Sequence, residues 1–273
     1  MNKGRISIIM GIYNCSKTLP EAIDSILAQT YENWELIMCD DCSTDDTYKI
    51  AEEYKNKYPE KMILVRNEKN SRLAFSLNHC LKYATGEYVA RMDGDDISVP
   101  ERLEKQVEFL KYNPEVQLVG TSMQRFNENG MHDIVYPPES VDKFTLKDRI
   151  PFNHATILTY KYVYDALNGY TVAERTMRAQ DYDLWFRFFH KGFVGANMME
   201  PLYLVREDEN AIRRRTAKVR INAYKTTRMG YKLLGYPKHW IIKPTITLII
   251  KCLTPYFIVD KYREYQARKQ NKF

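Results

Sequence analysis

Asp93, Asp95 and Asp96 fall within four residues of one another, and a second acidic cluster stands at Asp40, Asp41 and Asp45. Carboxylates this close repel one another unless a cation or several hydrogen-bond donors sit among them. A set of ligands made of oxygen alone suits a hard divalent ion, Mg²⁺ or Mn²⁺. Neither G-x-G-x-x-G nor G-x-x-x-x-G-K-[ST] occurs, so no glycine loop cradles a phosphate. A metal held by carboxylates is the other common way to grip a diphosphate, and a metal–nucleotide site is the chemistry these residues point to. The loops also have a structural use. Residues 43–46 stand where they would cap a following helix, so at Asp40 and Asp41 the signals for cap and site overlap. At Asp93–Asp96 the next cap falls to Ser98, which leaves those carboxylates free of that duty.

Both clusters follow runs that read as strands. Residues 6–10, 34–39, 62–65 and 88–92 are short and nearly continuously apolar, the pattern of strands buried on both faces. Helical spacing fills the gaps between them. Thr18, Pro20 and Glu21 spell a capping box ahead of Ala22, Ile23, Ile26 and Leu27. Tyr48, Ala51, Tyr54 and Tyr58 share one face of a second helix. Leu73, Leu77, Cys80, Leu81 and Ala84 stripe a third, with Gly86 as its stop. Ser98 and Glu101 repeat the capping box and start a fourth that ends near Tyr112. Strands alternating with helices predict an α/β fold: a doubly wound, mostly parallel sheet with helices on both faces. Ligands in such sheets bind beyond the carboxyl ends of the strands, where both acidic clusters lie. Shorter strand signals at 116–120 and 155–158 flank a turn at 127–130.

The 273 residues, 44% hydrophobic and 28% charged, exclude a disordered or fibrous chain. A net charge of +6 is too weak to argue for nucleic acid. Five cysteines imply no disulfide scaffold, and Cys39 and Cys42 lack the second ligand pair that zinc would need; they read as packing residues. The opening residues carry only a short apolar run without a cleavage site, so the expected compartment is the cytoplasm.

The chain resembles a family 2 glycosyltransferase of the GT-A fold over roughly residues 5–205. The resemblance rests on residues 7–14 (SIIMGIYN), 25–30 (SILAQT), 34–41 (WELIMCDD) and 86–96 (GEYVARMDGDD) taken together. Within the family it looks most like bacterial capsule, biofilm and other exopolysaccharide enzymes, which transfer a sugar from a nucleotide diphosphate to a hydroxyl with inversion. The resemblance implies a donor that is UDP-linked. It places Tyr13 beside the nucleobase and Asp41 at the base edge, with Asp40 assisting. Arg72 falls near the phosphates, Asp93 toward the ribose and Asp95 toward the metal. Asp181 falls on the position of the catalytic base, in a segment where Gln180 replaces the family's usual acid; at a helix start it could equally serve as a cap. Asp183 is its neighbour on the acceptor side. His154 resembles an acceptor-side residue, although a lone histidine between apolar segments is commonly structural. The Q-x-x-R-W signature of processive synthases is missing, which implies transfer of a single sugar.

The resemblance divides residues 1–205, the glycosyltransferase domain, into a nucleotide-sugar half over about 1–112 and an acceptor half over about 113–205. Residues 206–273 form a basic, partly apolar helical appendage, with 17 Lys and Arg against 5 Asp and Glu. Its balance of +12 leaves −6 for the residues before it. Arg213–Arg215 would head a basic helix reaching Lys232. The stretch from 240 to 259 is interrupted by Lys243, Pro244, Lys251 and Pro255 and is too broken to span a bilayer. Basic residues among large apolar ones suit a membrane interface, each worth ~1 kcal/mol near an anionic leaflet. Packing of this stretch on the catalytic domain is the other reading. The expectation is a metal-dependent enzyme on the inner face of the cell membrane, acting on a lipid-linked oligosaccharide beside other polysaccharide-assembly proteins. A catalytically silent GT-A-like interaction module is the alternative. A sugar-1-phosphate nucleotidyltransferase is disfavoured because it should show an N-terminal phosphate loop.

Overall fold

β1 (Asn2–Ile12) lies at the centre of the sheet, and its apolar run alternates between two cores. Ile6, Ile8 and Met10 face one layer of helices while Ile9 faces the other, the two-residue period of a strand covered on both sides. The structure, a computed structural model, describes residues 2–207 and 216–253. From β1 the chain runs through α1 (Leu19–Leu27), β2 (Trp34–Asp40), α2 (Thr47–Lys57), β3 (Met62–Arg66), α3 (Leu73–Leu81) and β4 (Gly86–Asp93). A short β5 (Ile97–Ser98) precedes α4 (Arg102–Tyr112). β6 (Leu118–Asn127) and β7 (Gly130–Val135) form a hairpin; β8 (Leu158–Tyr160), α5 (Lys161–Ala166), α6 (Gln180–His190) and β9 (Gly195–Arg206) complete the sheet and its cover.

The strand order is β3-β2-β1-β4-β8-β6-β9-β5, and β7 pairs with β6 off this path, on the side β8 occupies. The first four strands are parallel, as their intervening helices require. β8 runs antiparallel to both β4 and β6 and joins the parallel half to the remainder. α1, α2 and α4 cover one face, and α3, α5 and α6 the other.

Several local expectations shift. Neither capping box forms. Thr18 gives its hydroxyl to the Cys15 and Gly94 carbonyls, tying the loop after β1 to the acidic loop. Ser98 belongs to β5, where its hydroxyl accepts from Gln29, and α4 begins at Arg102 behind Glu101. Gly86 opens β4 instead of closing α3, which ends near Lys82. A Cβ at Gly86 would lie 2.5 Å from the Arg5 carbonyl and 2.8 Å from the Ser7 nitrogen, so close approach of β1 demands glycine there. Ala155 and Thr156 sit in a 3-10 turn ahead of β8.

α7 (Ala217–Leu233) and α8 (Ile242–Leu253) follow β9. α7 is docked: Asn222 donates to the Glu174 carbonyl, Thr226 to that of Arg175 and Tyr231 to that of Lys147. Gly230 lies against the Phe186 ring on α6, where any side chain would overlap it. α8 buries none of its residues. α7 thus packs on the domain, while α8, within the apolar stretch from 240, presents an apolar face. Arg213–Arg215 and residues 254–259 lie outside the described residues.

Candidate active site

Three loops leave the carboxyl ends of β1, β2 and β3 and enclose a cavity of ≈ 180 Å³ lined by Gly11, Tyr13, Asp41, Arg72, Leu73 and Ser76, among others. Buried Asp41 organises it. One of its oxygens accepts the Ser71 N–H at 2.7 Å and the Asn67 amide at 2.8 Å, and the other accepts the Arg72 N–H at 2.8 Å. These bonds hold Arg72 at φ +74° and ψ 166°, a conformation that costs a residue with a side chain about 1–3 kcal/mol. Asn14 and Cys42, also at positive φ, lie in the other two loops. Such strain persists only where the surroundings over-determine it, as the Asp41 bonds do here. The Arg72 guanidinium is exposed and pairs with no group among the described residues. Tyr13, 46% exposed, presents a ring on the same wall.

Asp40 does not join this cavity. It is fully buried, accepts from Ser43 N–H and pairs with Arg66 Nε at 3.0 Å. These bonds fix the loop that Asp41 begins.

The loop after β4 brings carboxylate oxygens of Asp93, Asp95 and Asp96 within 4.8 Å of one another. Arg91, buried in β4, grips both oxygens of Asp93. Asp96, buried, accepts the Arg206 N–H at 2.8 Å, and Arg206 Nε donates to the Asp95 carbonyl. Asp95 is the exposed member. Desolvation of its carboxyl by the surrounding loop, and then the charge of Asp93, push Asp95 above its ordinary range; burial and both neighbours push Asp96 well above it. Two carboxyls held toward protonation by their own cluster are the donor set that a divalent cation would relieve, so these residues fit one.

Asp181 lies in the first turn of α6, where its oxygen accepts the Tyr182 N–H at 2.8 Å. Burial raises its pKa, and the positive charge of Arg91 partly offsets that. Arg91 also helps hold His154 well below its ordinary value after burial, so the imidazole is neutral and bonds the Tyr170 hydroxyl at 2.8 Å. The guanidinium that grips Asp93 thus also acts through its charge on Asp181 and His154. A second buried arginine, Arg102, donates to the Arg91 carbonyl and lies over the Tyr203 ring; burial lowers it to about 10. Asp183 belongs elsewhere. Two residues on from Asp181, it faces the other side of the helix. Its oxygens accept from Thr171, Arg175 and Arg187 at 2.6–2.8 Å, so it fixes α6.

Sequence reasoning missed Arg91, Arg102 and Arg206. For Arg91 a signal existed. A charged residue inside an apolar run buried on both faces must meet a carboxylate, and Asp93 is two positions on.

Comparison with known proteins agrees with this geometry. Residues 7–165 match the model of Glycosyl transferase family 2. The chain is 44% identical over its whole length to 98% of EpsE of Bacillus subtilis (strain 168), whose name designates a glycosyltransferase. It is 30% identical, over 73% of this chain and 77% of the other, to the Escherichia coli UDP-Glc:alpha-D-GlcNAc-diphosphoundecaprenol beta-1,3-glucosyltransferase WfaP. The crystal structure of Staphylococcus aureus TarS 1-349 in complex with UDP-GlcNAc superposes with a TM-score of 0.70 at 19% identity, over 91% of this chain and 71% of that one. The architecture is that of a GT-A glycosyltransferase. The chain belongs to glycosyl transferase family 2.

Proposed function

We propose that this protein moves a single sugar from a UDP-linked donor to a hydroxyl of a lipid-linked oligosaccharide, with inversion, in exopolysaccharide or capsule synthesis. The observation that carries the reading is the acidic loop: carboxylate oxygens of Asp93, Asp95 and Asp96 converge within 4.8 Å, with Arg91 gripping Asp93. Tyr13 stacks on the base, Asp41 holds the loop around it, and Arg72 pairs with phosphate. Asp93 takes the ribose. Asp95, assisted by its neighbours, would hold Mg²⁺ or Mn²⁺, which when bound supplies positive charge to the departing diphosphate. Asp181 takes the proton from the acceptor hydroxyl, its raised pKa matching it to that task. Neutral His154 lines the acceptor side, and Asp183 positions α6. The lipid-linked acceptor is supported by the diphosphoundecaprenol-linked acceptor in the name of WfaP and by the basic residues after 206. Among the described residues no helix is long and apolar enough to cross a membrane, so association with the inner membrane face would be peripheral. Residues 1–205 carry the transfer and 206–273 the attachment.

A panel of nucleotide sugars, screened for a rise in unfolding midpoint with and without Mn²⁺ and repeated on Asp95→Ala, tests this. A UDP-sugar response that needs the metal and is lost in the variant is expected. No metal-dependent response from any donor would favour the interaction module.

A further inference from the structure

α7 and α8 enclose two joined cavities that the transfer chemistry leaves unused. The first, of ≈ 390 Å³, is lined by Lys147, Arg220, Lys243 and Lys251 with the tyrosines Tyr182 and Tyr224. Its one carboxylate among the described lining residues is Asp148, paired with Lys243, so three cations stand in excess. The second cavity, of ≈ 460 Å³, shares Lys147, Lys243 and Thr247 with the first and is otherwise walled chiefly by Trp240, Ile242 and Ile246. One end is cationic. The other is apolar.

α8 extends that division onto the surface. At 3.6 residues per turn Ile242, Ile246, Ile249, Ile250 and Leu253 share an arc of about 100°, and each is more than half exposed. Lys243, Thr247 and Lys251 border the arc on the side of the cationic cavity. α7 faces α8 across the same cavity, with Thr245 bonding the Tyr224 hydroxyl at 2.9 Å and Arg220 donating to the Lys251 carbonyl. A contiguous apolar stripe edged by cations marks a site for an amphipathic partner.

We infer that the α7–α8 pair seats the diphosphate end of a prenyl lipid, with phosphates among the lysines and the hydrocarbon in the apolar cavity and along the isoleucine arc. Charge favours the headgroup: four cationic side chains line a cavity with a single carboxylate among its described lining residues, and lysine and arginine are the side chains that bind phosphate. Continuity favours a lipid over a free anion, since the apolar cavity shares three wall residues with the cationic one. The neighbourhood favours the acceptor over bulk phospholipid. Tyr182 lines the cationic cavity and donates its N–H to Asp181, so headgroup and proposed base share the first turn of α6. This deepens, and rests on, the transferase reading above.

Binding of farnesyl diphosphate to the full chain, by calorimetry with excess UDP and Mn²⁺ filling the donor cleft, tests it. Lys147→Gln/Lys251→Gln should weaken binding tenfold or more. Ile246→Ser/Ile249→Ser, at two exposed positions of the arc, should weaken it similarly. Wild-type affinity in both variants overturns the inference, as does no binding by the wild type. Inorganic pyrophosphate competing as well as farnesyl diphosphate would make this a free-phosphate site, and phosphatidylglycerol vesicles competing at equal phosphate would make it a bulk-lipid site; either result also overturns it. The UDP-induced rise in unfolding midpoint is read on the same samples. Its retention without farnesyl diphosphate binding fails this inference alone, whereas its loss fails the donor reading.

Discussion

Asp181→Asn separates a base from a cap. The amide is isosteric and its oxygen can still accept the Tyr182 N–H at 2.8 Å, so helix and backbone are preserved. What changes is the ability to take a proton. A positioned base contributes roughly 10²–10⁴-fold, which at 1.36 kcal/mol per decade is about 3–5 kcal/mol of barrier. Burial has raised the pKa of this carboxyl, so its charged form is the costly one in the fold. Its stabilising contribution is full below the ordinary carboxylate value and fades as pH rises through the raised one. Removing the charge should therefore leave the unfolding midpoint at pH 7.5 equal or higher. Transfer to acceptor, followed at saturating donor, should fall by the factor above with donor affinity unchanged, and the acid limb of the wild-type pH profile should disappear. Transfer within tenfold of wild type in a variant that still binds donor would refute the assignment and leave Asp181 as a cap.

The other carboxylates should behave differently. Asp183→Asn strands Arg175 and Arg187, breaks a largely buried pair and should cost about 3 kcal/mol in chemical denaturation; hydrogen bonds hold Asp183 below the ordinary range against the pull of burial, so its contribution is present above pH ~4 and lost as pH falls through the lowered value. Asp41→Asn turns an NH₂ toward the donors of Ser71 or Arg72 and should release the strained loop, weakening UDP binding about tenfold or more, with unchanged affinity counting against the cleft. Because Asp95 and Asp96 are raised, the metal-free fold should lose stability as pH climbs above the carboxylate range, and Mn²⁺ should raise the unfolding midpoint more at pH 8 than at pH 5.5; an equal rise in Asp95→Ala would place the ion elsewhere. Gly230→Ala should push α7 off the Phe186 ring and lower the midpoint by several degrees, an effect that Ala at exposed Met229 should not share.

The parallel half of the sheet was legible because its strands are buried on both faces and its helices expose clear stripes, so each element announces itself within its own residues. The acidic loop was legible for a related reason: Asp93, Asp95 and Asp96 are close in the chain, and their repulsion needs no tertiary knowledge. The errors sit where a local rule met a distant partner. Ser98 looks like a cap until Gln29 and Ser25 of α1 are seen to draw it into β5. Gly86 looks like a helix stop until Arg5 and Ser7 crowd it. Asp40 and Asp41 are adjacent and chemically equal, yet one meets Arg66 and the other the backbone of residues 71 and 72; no local signal assigns which. Asp181 and Asp183 divide in the same way. Helical geometry sets them on different faces, and only the positions of Arg91, Arg175 and Arg187 decide which is a buried acid with a raised pKa and which an ion-paired anchor.

Those arginines explain how an acidic loop can be both folded and reactive. Three carboxylates within 4.8 Å would drive the loop apart if all faced solvent unpaired. Arg91 removes one by taking both oxygens of Asp93, in the bidentate geometry that a lysine could not reproduce. Asp96 is spent on the end of β9 through the Arg206 N–H, and the Arg206 side chain crosses to Glu21 of α1 with its Nε on the Asp95 carbonyl. Asp95 alone is left facing outward, fixed from behind through its own backbone. Full pairing of all three would have produced a stable loop with nothing to offer a cation. Leaving all three free would have forced their protonation near neutral pH. Holding two and presenting one keeps the cost within what the surrounding bonds can offset, and it sets the free carboxylate on the same sheet edge as the cleft that Asp41 and Arg72 build.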